Sequence, residues 1–133
     1  MASLPLPVPD EVTEPFWAYC RDHELRAQRC TACGLLRHPP RVTCPRCGST
    51  EVEWQKLSGR GTVFTYGVSH QAIHPALEGR TPFTTLIVEL EEGLRFTSNL
   101  ADGSPSPDIG AAVEVVFDPV TDEVTLPRFR VVK

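Results

Sequence analysis

Cysteine is the residue type that first offers chemistry in this chain. Four of its five cysteines fall into two matched pairs, Cys30-Thr31-Ala32-Cys33 and Cys44-Pro45-Arg46-Cys47. Two intervening residues let one tight turn aim both sulfurs at a single point. The glycine after each pair, Gly34 or Gly48, supplies the positive φ that closes such a turn. The ten residues between the pairs suffice for a short hairpin that sets the two turns face to face. Four thiolates then converge tetrahedrally, which is the donor set of structural zinc. Cys30, Cys33, Cys44 and Cys47 are therefore the candidate metal ligands. A closed four-sulfur site holds structure and leaves no open position for hydrolysis, so any other function must be sought elsewhere on the chain. Iron in the same sulfurs, as in a rubredoxin-like electron carrier, is the alternative occupant, and the colour of the purified protein would decide. Cys20 stands apart, without a paired cysteine, in the aromatic run Phe16-Trp17-Ala18-Tyr19-Cys20. It reads as a small buried core residue.

The elements that must position these groups follow from composition and pattern. The chain has 133 residues, 41% of them hydrophobic and 23% charged, ordinary values for a soluble globular protein. Its net charge of −4 argues against a general nucleic-acid or anionic-membrane binder. No apolar run is long enough to span a membrane, and the first residues lack the basic and apolar parts of a signal peptide. The expected location is the cytoplasm, where paired cysteines serve as metal ligands rather than disulfides.

Three segments are expected: an arm and helix over 1–24, a zinc ribbon over 25–55 and a barrel over 56–133. Pro5, Pro7 and Pro9 make the first residues an extended, polyproline-like arm. Thr13-Glu14-Pro15 starts a helix running to about Asp22, with Thr13 as the capping residue. Phe16 and Cys20 share a face of that helix and need an outside surface, the ribbon or another chain. Leu25–Arg29 leads as a strand into the first cysteine turn, Pro39-Pro40 prevents any helix on the way to the second, and Val52 and Trp54 mark a last ribbon strand. Beyond Lys56, five strands are expected at about 60–70, 83–91, 94–100, 112–118 and 123–131. Turn chemistry at each boundary fits a small closed barrel of OB type, and a small open sandwich is the runner-up.

The order of these features resembles one family, the OB-fold proteins with a rubredoxin-like zinc ribbon that accompany acyl-CoA enzymes. The resemblance runs from Pro15-Phe16-Trp17 to Leu126-Pro127-Arg128-Phe129. It is carried by Gln28-Arg29-Cys30-Thr31-Ala32-Cys33-Gly34, Pro39-Pro40-Arg41, Cys44-Pro45-Arg46-Cys47-Gly48, Ser58-Gly59-Arg60-Gly61-Thr62-Val63 and Val113-Glu114-Val115-Val116-Phe117. It implies a mainly β protein and an accessory subunit rather than a free-standing catalyst. Its implied partner is a thiolase-superfamily enzyme (a thiolase, an acyltransferase or an aldolase of steroid side-chain breakdown), in a hetero-oligomer with two copies of each. The shared ligand would be a CoA thioester. A hot-dog-fold enoyl-CoA hydratase is the alternative partner.

Within that frame the arginines become candidates. Residues 21–46 hold six arginines against Asp22 and Glu24, a balance of +4, while residues 89–123 hold nine acids against Arg95, a balance of −8. The ribbon arginines either compensate the charge of a zinc tetrathiolate or contact the phosphates of CoA, which arginine's fork of donors suits. Arg37 and Arg41 are the ribbon candidates for that contact. Arg80 and Phe83, which close the first barrel loop, are the candidates at the barrel rim. Phe16, Trp17 and Tyr19 serve either as partner anchors or as cover for the ribbon–barrel junction. His70 and His74 flank the same loop, yet nothing near them completes a nucleophile, base and acid, so no catalytic residue is assigned. A nucleic-acid-binding ribbon and OB protein is the reading from a different class. The acidic barrel and the restriction of lysine to Lys56 and Lys133 speak against it.

Overall fold

The structure, a computed structural model, describes residues 6–71 and 82–132. One short helix, α1 (Glu14–Arg21), precedes the three ribbon strands β1 (Arg26–Cys30), β2 (Leu36–Arg37) and β3 (Val52–Lys56). Five barrel strands follow: β4 (Arg60–Ser69), β5 (Phe83–Leu90), β6 (Arg95–Asn99), β7 (Ala112–Pro119) and β8 (Thr125–Val131). Each barrel strand falls within a few residues of its expected place, because β-branched runs bounded by glycine, proline and aspartate leave little freedom in where strands begin and end.

The ribbon is an antiparallel sheet in the order β2-β1-β3, with Cys30 opposite Val52 and Arg26 opposite Lys56. The barrel sheet runs β6-β5-β4-β7-β8, every ladder antiparallel. A parallel bridge between Leu100 and Phe129 brings its two ends together. The Ala101 N–H donates to the Phe129 carbonyl at 2.7 Å, and the Ser98 hydroxyl donates to the Pro127 carbonyl at 2.7 Å. The result is a nearly closed five-stranded barrel whose seam lies between β6 and β8. A bulge between Val63 and Thr65 bends β4, as closure of so small a barrel requires. Gly61 lies where β4 crosses β5, and a Cβ there would run into the Glu89 carbonyl.

One continuous core joins the parts. Phe129, Leu86, Val88, Val63 and Val113 fill the barrel, and Phe16, Cys20, Leu25 and Ala27 extend the same cluster into helix and ribbon. The helix therefore packs on the barrel as well as on the ribbon, at the junction its aromatics were expected either to cover or to leave for a partner. Its pattern identifies the face to be buried and not the partner that buries it. Thr13 is the N-cap residue, but its side chain makes no cap bond to the helix. Its Oγ1 instead accepts the Asp10 N–H at 3.0 Å, while Asp10 Oδ1 accepts the N–H groups of Val12 and Thr13, both at 2.9 Å. Aspartate thus organises the turn before the helix, and Thr13 completes it. Among the described residues no helix is long and apolar enough to cross a membrane.

Candidate functional site

The two cysteine turns are built alike. The Gly34 N–H donates to the Cys30 carbonyl at 2.8 Å, and the Gly48 N–H to the Cys44 carbonyl at 2.9 Å. Both glycines have φ near +80°, with Gly34 at 80° and Gly48 at 79°. The sulfur atoms of Cys30, Cys33, Cys44 and Cys47 lie within 4.8 Å of one another. Cys30 Sγ is 3.6 Å from Cys47 Sγ, and Cys33 Sγ is 3.6 Å from Cys44 Sγ. Four thiolates around a zinc ion at ~2.3 Å stand roughly 3.8 Å apart, so the residues present fit the metal with little movement. Backbone amides prepare the charge. The N–H groups of Cys33, Leu35 and Cys47 hold the thiols of Cys30, Cys33 and Cys44, respectively, below the ordinary thiol range. Cys47 alone is pushed up, to about 11: the Ser49 N–H lowers it, but the sulfur of Cys30, burial and the other two sulfurs outweigh that effect. A divalent cation at the centre removes this repulsion. Cys30, Cys33, Cys44 and Cys47 would hold a metal as a structural cross-link and leave it no free coordination position.

The arginines of the helix end and ribbon have separate engagements. Arg21 pairs with Glu14 at 3.0 Å and Arg26 with Glu24 at 2.6 Å. Arg29 donates to Gln55 at 3.0 Å, and Arg46 to the Cys33 carbonyl at 2.6 Å beside the thiolates. Arg37 is buried, 5% exposed, with Nε donating to Gln28 Oε1 at 2.9 Å and Nη2 to the Arg41 carbonyl at 3.2 Å. Gln28 Oε1 also accepts the Arg41 N–H at 2.8 Å. Arg41 is exposed, and its guanidinium makes no hydrogen bond with the described residues. Phe83 is half-buried at the start of β5, opposite Ser69. Arg80 and His74 lie outside the described residues, and His70 is exposed at the end of β4.

The ribbon and barrel match two linked families. Residues 17–53 match the one described as ChsH2, rubredoxin-like zinc ribbon domain, and residues 54–118 match ChsH2, C-terminal OB-fold domain. A DUF35 domain-containing scaffold protein of Methanocaldococcus jannaschii is 38% identical over 117 residues, which cover 86% of this chain and 82% of that one. The chain belongs to the DUF35 family. A probable enoyl-CoA hydratase alpha subunit of Thermomonospora curvata is 40% identical over 86% of this chain, but the match spans only 36% of the hydratase subunit. Among solved structures, a chain of the Ltp2-ChsH2(DUF35) aldolase superposes with a TM-score of 0.83 at 36% identity, covering 95% of this chain and 98% of that one.

In this DUF35 protein a second feature lies where helix, ribbon and barrel meet. Phe16 stacks on Phe96 with centroids 6.2 Å apart, and His38 lies against both, 5.0 Å from Phe16 and 4.3 Å from Phe96. Phe16 thus covers the ribbon–barrel junction, one of the two roles expected of it. Tyr19, half-buried, lies beneath the Arg26 guanidinium at 4.5 Å. Trp17, also half-buried, walls an open cleft of about 290 Å³. The facing walls are Pro39 and Pro40 of the ribbon, and the floor is the seam between β6 and β8. Burial pushes the His38 imidazole down to about 4, and its Nδ1 is buried without a hydrogen-bond partner among the described residues. Sequence reasoning missed both His38 and the cleft. The only signal was the place of His38 directly before Pro39-Pro40, which reads as a break in structure rather than as a wall.

Proposed function

We propose that this protein is a non-catalytic accessory subunit that docks on a thiolase-superfamily enzyme (a thiolase, an acyltransferase or a steroid side-chain aldolase) and helps to hold its acyl-CoA substrate. The observation that carries this reading is the likeness, over 95% of the chain, to the DUF35 component of an aldolase complex. The benzoylsuccinyl-CoA thiolase subunit BbsA of Thauera aromatica, 35% identical over 61% of this chain, supports the thiolase side of it. The chain's own chemistry agrees: its four-cysteine centre has no open position, and among the described residues the buried thiol and imidazole, Cys20 and His38, form no nucleophile–base arrangement. Arg41, Arg80 and Phe83 are the proposed contacts to the CoA thioester. Arg37, buried beneath Arg41, takes part by fixing the turn that presents it. The complex holds two copies of each subunit and resides in the cytoplasm.

A second reading makes the partner a hot-dog-fold enoyl-CoA hydratase. It is favoured by the 44% identity over 92 residues to the 3-oxo-4,17-pregnadiene-20-carboxyl-CoA hydratase alpha subunit of Mycobacterium tuberculosis, of which the match spans 28%. Affinity capture of the tagged protein from its native cells separates the two. A stoichiometric thiolase-type partner supports the first reading and a hydratase-type partner the second. Recovery of the protein alone, or with nucleic acid that high salt removes, overturns both.

A further inference from the structure

Strand β4 is paired along its whole length on one edge only. There it faces β5 from Gly61 to Ser69, while on the other edge its ladder to β7 ends at Thr62, opposite Ala112. Val63 makes the last backbone bonds on that side, donating to the Ala111 carbonyl and accepting from the Gly110 N–H. From Phe64 to Ser69 this edge meets no other strand among the described residues. Natural proteins commonly guard an open edge with charges or proline. The segment Phe64-Thr65-Tyr66-Gly67-Val68-Ser69 contains neither. Phe64, Tyr66 and Val68 are 42%, 39% and 45% exposed.

Gly67, at the middle of the segment, has no reason to be glycine inside this chain. Its φ lies outside the left-handed region, and a Cβ on it would meet nothing within 4 Å. Glycine in a strand interior weakens the strand and often marks the close approach of another backbone. The residues on its two sides match in kind: Tyr66 and Val68 are apolar, and Thr65 and Ser69 are small hydroxyl residues. An antiparallel pair with a two-fold axis sets residues equally far from the axis opposite one another. With the axis at Gly67, Tyr66 faces Val68 of the second copy and Thr65 faces its Ser69, and each pair occurs twice. Aromatic–β-branched and hydroxyl–hydroxyl pairs are favourable across strands, and glycine against glycine leaves the backbones room at the axis. A symmetric pairing of charged strands would instead set like charges close together, and this segment has no charge to oppose it.

We propose that the open edge of β4, Phe64–Ser69, pairs antiparallel with the same edge of a second copy of this chain, about a two-fold axis at Gly67. The proposal goes beyond the accessory role and stands without it.

Sedimentation equilibrium of the full, metal-loaded chain, from micromolar to near-millimolar concentration, tests it. The mass should rise with concentration from the 14.7 kDa of one chain toward twice that value. The double variant Tyr66→Lys with Val68→Lys sets lysine opposite lysine and should stay monomeric, as should Tyr66→Glu with Val68→Glu. An equimolar mixture of the two should recover the dimer, because lysine then faces glutamate. Metal content and melting temperature verify that the variants fold. Hydrogen exchange needs no variant: in the unsubstituted chain the outward amides of Phe64–Ser69 should slow with rising concentration by a larger factor than those of β8. A mass that stays at 14.7 kDa throughout, or a dimer that both double variants leave intact, overturns the proposal. So does a monomeric chain whose charged variants lose a captured enzyme, since the edge would then belong to that enzyme.

Discussion

His38 of the ribbon stacks on Phe96 of the barrel with ring centroids 4.3 Å apart and planes 23° from parallel. The contact welds two parts of the fold through a ring that must stay neutral. Burial pushes His38 down to about 4, whereas an unfolded histidine titrates at about 6.5. As pH falls below 6.5, the unfolded chain takes up this proton and the folded chain does not. The contribution of neutral His38 is therefore complete above pH 6.5 and is lost progressively down to pH 4, by up to roughly 3 kcal/mol. His38→Phe keeps an aromatic ring at the junction and should flatten that part of the pH profile. Urea denaturation of both proteins from pH 7.5 to 4.5 measures it, and parallel profiles would contradict the assignment.

The metal centre makes a sharper demand. Cys44 is buried, with its sulfur 3.6 Å from that of Cys33. Cys44→Ser should release the metal and melt the ribbon, because the binding energy of such a site, about 10 kcal/mol or more, is folding energy. Elemental analysis and circular dichroism read the outcome; full metal content with unchanged melting would rule out the four-thiolate site.

The five cysteines should separate into two classes. With metal bound, a thiol reagent should find little to modify. A strong chelator should expose four thiols, those of Cys30, Cys33, Cys44 and Cys47. Cys20 is fully buried, its thiol pushed up to about 12 by desolvation, with Arg21 opposing weakly. It should react only when denaturant opens the core. Early modification of Cys20, located by mass spectrometry, would show that α1 leaves the barrel readily.

Gly61 tests the barrel itself. A methyl group there meets the Glu89 backbone, which cannot yield as a flexible side chain would. Gly61→Ala should cost about 1–3 kcal/mol and lower the melting temperature by several degrees. Gly67, on the same strand with open space around its Cα, is the control: a Cβ there meets nothing within 4 Å.

Arg37 and Arg41 are adjacent in the fold and should behave oppositely. Arg37→Ala removes the clamp on Gln28 and the Arg41 carbonyl, at a cost of about 1–3 kcal/mol in stability. Arg41→Ala changes an exposed side chain and should leave stability within about 0.5 kcal/mol, while weakening binding of CoA. Melting curves and CoA titrations of the two variants separate positioning from contact.

Much of this architecture was already legible in the order of residues. Paired cysteines with following glycines announce their own turn, because ligand spacing and positive φ are local requirements. The five barrel strands announce themselves through β-branched runs between Gly, Pro and Asp. What the sequence could not decide is which surfaces meet. The i,i+4 spacing of Phe16 and Cys20 marks a face to be buried, yet only the fold shows that face resting on both His38 and Phe96. Six arginines of the helix end and ribbon look alike in sequence. The tertiary structure engages five of them with groups that lie up to 102 residues away, as Arg21 is bonded to Glu123, and leaves Arg41 open. The cleft is lined by β6 and β8, which are separate in sequence and meet only through barrel closure. Local chemistry is written in neighbouring residues; burial and cavities are properties of chain segments brought together, and those depend on the whole fold.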